Sequence, residues 1–79
     1  FLSVVKVSSQ VDTIAIEEFI QISKEFYNTN LDSSEVYANK AIKLSKQINY
    51  YKGLGYGYSS LGIISEYRAN YAQSILNNK

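Results

Sequence analysis

The chain is 79 residues long, 46% hydrophobic and 19% charged, a composition that fits one small globular domain and is too apolar for a disordered segment. Eight basic and seven acidic residues leave a net charge of +1 with the lysines dispersed, so nothing electrostatic points to DNA or RNA as partner. Cysteine, histidine and proline are absent: disulfides and the usual zinc, iron and copper ligand sets are excluded, and the lack of proline suits a chain built almost wholly of helix.

The chain opens at Phe1 rather than methionine, as a fragment or processed product would. Phe1-Leu2-Ser3-Val4-Val5-Lys6-Val7 is apolar but far too short to span a bilayer, so this segment is not expected to insert into a membrane. Residues 1–11 read as a lead segment, either the end of an earlier helix or the remnant of a removed signal.

From Asp12 to Tyr27, Ile16, Phe19, Ile20, Ser23, Phe26 and Tyr27 trace one helical face, with Glu17, Glu18, Lys24 and Glu25 on the other. Asp12 is a suitable N-cap, since its carboxylate can accept from the free amides of a first turn. Asn28-Thr29-Asn30 is a short polar break. A second helix follows, with Asp32 and Glu35 spaced as a capping box and Leu31 and Val36 as a hydrophobic staple. Its inner face reads Tyr37, Ala41, Leu44 and Ile48, flanked by Ala38 and Ile42, with Lys40, Lys43 and Lys46 pointing away. After Asn49 a third apolar segment runs to Tyr67, its stripe reading Leu54, Tyr58, Leu61, Ser65. Glycines at 53, 55, 57 and 62 each cost about 1 kcal/mol against alanine inside a helix, a cost that close approach of another helix would offset. Arg68-Ala69-Asn70 reads as a second polar break, and Tyr71 to Asn78 as a fourth helix with Tyr71 and Ile75 on one face.

The chain also repeats itself. A shift of 39 residues lays Ile22-Ser23-x-x-Phe26 on Leu61-Gly62-x-x-Ser65; beyond a gap in the turn, a shift of 40 lays Asn30 on Asn70, Leu31 on Tyr71, Ser34 on Ser74 and Val36 on Leu76. Tyr58-x2-Leu61-Gly62-x2-Ser65, Asn70-Tyr71-x2-Ser74 and Lys40-Ala41-Ile42 resemble the tetratricopeptide repeat family, with Tyr in the place of its Trp and the proline after its second helix missing. The stretch from Ala38 to Ser45 and on to Gly53 looks like a long-repeat subtype common in bacterial sensor kinases and regulators. The resemblance covers residues 14–78, less than two complete units. It implies an all-α fold of antiparallel helix hairpins stacked as an α-α solenoid, with a first hairpin at 12–49 and a second, truncated one at 50–79. The start of the second helix stays open, the local capping box favouring Asp32 and the repeat alignment Asn30; Gly62 would sit at a close helix crossing, where Gly62→Leu should destabilise by about 1–3 kcal/mol.

Candidate chemistry is sparse. Gly53-Leu54-Gly55-Tyr56-Gly57 lacks the last glycine of a dinucleotide fingerprint, and Gly57 to Gly62 is followed by Ile63-Ile64 where a phosphate loop needs lysine and a hydroxyl. No histidine is present to activate a serine, and nothing pairs Glu17, Glu18, Glu25, Asp32, Glu35 or Glu66 in an apolar pocket. No enzyme activity and no cofactor are therefore expected. The family resemblance implies a concave groove lined by Glu17, Ile20, Lys24 and Tyr27 from one unit and Tyr56, Ser59, Ile63 and Tyr67 from the next, taking a protein or peptide. Ile20 and Lys24 stand where the family's chaperone-binding members carry their carboxylate clamp, so that clamp is missing. The expected function is a protein–protein scaffold within a larger bacterial protein; the alternatives are a sensory segment of a signalling protein and a dimerisation module without ligand. With fewer than the three units such arrays need, the chain should either continue or self-associate through its last two helices.

Overall fold

The computed structural model describes residues 2–77, with side chains from residue 11 onward. It consists of three helices: α1 (Leu2–Glu25), α2 (Leu31–Gln47) and α3 (Tyr51–Asn77). No strand occurs among the described residues, and no helix is long and apolar enough to cross a membrane. The all-helical expectation is met; two of its boundaries are not. Helix α1 runs straight through Asp12, so residues 2–11 belong to the same helix and Asp12 is no N-cap. No glycine or proline lies between Leu2 and Asp12, and one aspartate inside a helix costs well under 1 kcal/mol. Helix α3 likewise continues through Arg68-Ala69-Asn70, merging the expected third and fourth helices; Asn78 and Lys79 lie outside the described residues. Arginine and alanine are strong helix formers, and polarity alone does not end a helix.

The two connections are local structures with clear causes. Asn30 caps α2: its backbone is extended and its side chain accepts from the Ser33 amide at 3.0 Å. The cap is therefore Asn30, and the Asp32–Glu35 capping box does not form. Val36, half exposed, does not close a staple. At the other end, Asn49 takes a left-handed backbone, φ 56°. The Tyr50 amide donates to the Ser45 carbonyl at 2.8 Å and the Asn49 amide to Lys46 at 3.4 Å, the paired bonds of a Schellman turn with asparagine in the usual glycine place. Tyr50 and Leu44 pack against the same apolar cluster, supplying the contact that accompanies such turns.

Short loops make successive helices antiparallel, so α1 and α3 run the same way on either side of α2. The α1 face expected from periodicity is the buried one: Ile16, Ile20 and Ser23 are closed off, with Phe19, Phe26 and Tyr27 at its edges. Helix α2 is sandwiched and buries two faces. Ala41, with Leu44 and Ile48 beside it, meets Ile16, Ile20 and Phe19, and Tyr37 stacks between Phe19 and Phe26 at 6.1 and 6.2 Å. The Lys40 ammonium, although exposed, lies 4.9 Å from the Tyr37 ring centre and shields that aromatic strip. Where α1 crosses α2 the side chains are serines. Ser23 Oγ donates to the Ser34 carbonyl at 2.8 Å and Ser34 Oγ to the Ser23 carbonyl at 2.7 Å, so both buried hydroxyls are satisfied across the crossing.

The stripe that α3 buries is displaced one residue from the expected one. Gly53, Gly57, Ser60 and Ile64 face inward, while Leu54 and Leu61 flank them and Tyr58 and Ser65 are exposed. A Cβ at Gly53 would strike Ser45 Oγ, Tyr50 and Ile16, and one at Gly57 would strike Ile42 and approach the Ala38 carbonyl at 3.5 Å. These two glycines allow the close approach. Gly62 is exposed, and a Cβ there meets nothing within 4 Å, so the expected crossing at Gly62 and the damage from Gly62→Leu are overturned. Ranking by hydrophobicity favours leucine and tyrosine as the inner stripe; helix backbones in close contact require the smallest residues there.

The helices are staggered. Ile16 of α1 lies at the start of α3, and Tyr27, just past the end of α1, lies against Ser60 and Tyr67. The molecule is therefore 63 Å long, although the 27 residues of α3 reach only about 40 Å. The first half of α1 projects at one end and the last turns of α3 at the other.

Candidate functional site

The α1–α2 turn and the base of the projecting end of α3 form a step. Tyr27 sits at its inner corner, half buried. Its hydroxyl donates to Ser60 Oγ at 3.0 Å, and its ring meets Tyr67 edge-on with centres 5.7 Å apart. The hydrogen bond anchors the phenolic end of Tyr27, and a T-shaped pair adds about 0.5–1.5 kcal/mol beyond area burial. One turn further along α3, Tyr71 is 57% exposed and overlooks the corner. Two adjoining clefts of about 390 and 310 Å³ share Tyr27, Asn28 and Tyr71. The first continues along the α1–α2 turn to Asp32 and Arg68, the second along α3 past Tyr67 and Asn70 to Ser74.

Arg68 bridges the step at its exposed rim. Its Nη2 donates to Asp32 at 2.9 Å and its Nη1 lies 2.7 Å from Glu35, tying α3 to the first turn of α2. The hydrogen bond to Glu35, seconded by that to Asp32, raises the guanidinium pKa above its ordinary value. The acidic pair near the start of α2 also complements the helix dipole there. With the guanidinium engaged by both carboxylates, the notch presents aromatic faces and the amides of Asn28 and Asn70 rather than a free cation.

Of the groove residues expected from the sequence, the structure brings together Tyr27 and Tyr67. Ile20 is 5% exposed and belongs to the core, where it meets Ile16 and Ala41. Glu17, Lys24, Ser59 and Ile63 are on the surface outside the notch, and Tyr56 stands apart with Lys52 over its ring. Sequence reasoning missed Asn28, Arg68 and Asn70 as site residues because they were read as breaks between helices. The available signal was the spacing Gly53, Gly57, Ser60, Ile64, Tyr67, Tyr71, a single stripe in steps of three and four that carries Tyr71 onto the inner face of one long helix.

Among the described residues no group of three or more His, Cys, Asp or Glu side chains is placed to hold a metal. No family model, curated protein or solved structure matches the chain.

Proposed function

We propose that the chain is a protein-binding helical scaffold of the tetratricopeptide-like kind, a segment of an α-α array rather than a catalyst, and that it holds its partner in the Tyr27–Tyr67–Tyr71 notch. The observation that carries this reading is the tyrosine corner. Tyr27 is anchored through its hydroxyl and packs edge-on against Tyr67, and the pair is flanked by an exposed Tyr71 and two asparagine amides. Tyrosines with few free rotors supply contact area at low entropic cost, and side-chain amides can pair with a peptide group as donor and acceptor together. The arrangement suits a segment with an uncharged, apolar face, because the cation at the rim is already engaged.

The test is selection from displayed peptides, followed by mapping of the bound site by NMR shift changes. Tyr71→Ala removes an exposed ring without disturbing the core and should weaken selected peptides tenfold or more. Binding that maps away from Tyr27 and Tyr71, or that ignores Tyr71→Ala, would refute the proposal.

A further inference from the structure

We infer that the partner of this notch is a second copy of the chain, paired through the projecting end of α3 about a two-fold axis. The inference rests on the notch being the recognition surface and names its occupant. The inner stripe of α3 does not stop where α2 stops. Arg68 is level with the first turn of α2, and from there α3 runs nine residues to Asn77, about 14 Å, with no neighbouring helix among the described residues. On this stretch Tyr71 and Ile75 continue the stripe of Gly57, Ser60 and Ile64, with Leu76 beside them, and all three are more than half exposed. Residues 69–77 contain no Asp, Glu, Lys or Arg. A surface without charge meets an identical surface with no like-charge penalty, and it offers a charged partner nothing to pair with.

The geometry is self-complementary. If two such ends lie antiparallel on the Tyr71–Ile75 face, with the axis midway between those two residues, Tyr71 of each faces Ile75 of the other. The tip of each then reaches the partner's step, where the clefts around Tyr27, Asn28 and Tyr71 receive it. Such a pairing closes on itself and uses the same patch twice. The area is adequate for a weak pair. A compact chain of 8.9 kDa exposes about 4,800 Å², and this one exposes 5693 Å². The excess of roughly 900 Å² goes with the elongated shape, 63 Å in its longest dimension, to which the end of α3 contributes. Covering one end on each of two protomers removes an area at the small, concentration-dependent end of protein association, below about 1,200 Å².

Sedimentation equilibrium on the 79-residue chain should show an apparent mass rising with concentration from 8.9 kDa toward twice that value. Ile75→Glu should hold the mass at the monomer with unchanged helicity, whereas Gln73→Glu, the same charge on the opposite face of α3, should leave the rise intact. The chain has no native cysteine, so Ser74→Cys, beside the axis, should oxidise to a disulfide-linked pair and Gln73→Cys should not. Three results overturn the inference: a monomer at every concentration, association that survives Ile75→Glu, or equal cross-linking of the two cysteine variants. A monomer whose notch still captures displayed peptides leaves the proposed function standing; a monomer with an inert notch removes both.

Discussion

Three serines and one asparagine show how much a single residue's surroundings decide. Ser23 and Ser34 are fully buried and satisfy each other's carbonyls, whereas Ser45 Oγ is buried against Gly53 with no hydrogen-bond partner. The same substitution should therefore act oppositely at the two sites. Ser34→Ala removes a donor from a satisfied crossing and should destabilise by about 1 kcal/mol, while Ser45→Ala removes an unmatched hydroxyl and should be neutral or stabilising. Urea denaturation of the two variants is the check, and equal midpoints would refute the assignment. Asn49 makes a second case. Its left-handed backbone is tolerated by asparagine and free of strain only for glycine. Asn49→Gly should keep or slightly raise the melting temperature, and Asn49→Ala should lower stability by about 1 kcal/mol. If alanine is tolerated as well as glycine, the turn is not the one described.

At the scale of the helix, the four glycines of α3 divide into two kinds. Gly53 and Gly57 lie where a Cβ would strike α2, α1 or the connection between α2 and α3; Gly55 and Gly62 have open space around them. Gly57→Ala should destabilise by about 1–3 kcal/mol through overpacking. Gly55→Ala and Gly62→Ala should each stabilise by up to about 1 kcal/mol, because only helix propensity changes. Thermal melts of the single variants decide the register of α3, and the opposite pattern would restore the stripe through Tyr58 and Leu61. This helix also marks the limit of what was legible. The face of α1 could be read directly, since Ile16 and Ile20 are both the apolar and the inner residues; on α2 only Ala41 of the expected inner residues is fully buried, joined by the expected flank Ala38 and Ile42 and by Ser34 and Ser45, while Tyr37, Leu44 and Ile48 are partly covered. The inner residues of α3 are glycine and serine, which carry no hydrophobic signal, so periodicity selected their larger neighbours. Asn30 as the cap was legible only through the internal repeat, because Asp32 and Glu35 made an equally good local motif until Arg68 claimed both. The tyrosine corner was half legible: Tyr27 and Tyr67 were expected in one groove, but Tyr71 was assigned to a separate helix.

For the whole molecule, stability rests on one thin core. A chain this short has about 3–5 kcal/mol to lose, and Ile16 and Ile64 are closed off completely, at 0% and 1% exposure. Truncating either to alanine costs about 2–5 kcal/mol. Ile16→Ala and Ile64→Ala should each abolish the cooperative melt seen by circular dichroism, whereas Ile63→Ala, on the outer face, should leave it in place.

The glycine stripe also sets an order of events. With four glycines between residues 53 and 62, the isolated α3 segment is about 4 kcal/mol worse as a helix than an alanine equivalent, so it is coil until it has a surface to lie on. The α1–α2 hairpin carries no glycine and can form by local contacts alone. We predict that folding proceeds by docking, with the hairpin forming as a template and α3 becoming helical on it from Gly53 outward. Amide hydrogen exchange would record that history in the folded protein. Amides from 57 to 64 should open only with the whole molecule, those from 70 to 77 should exchange fastest in α3, and a uniform rate along the helix would show that it does not depend on its template.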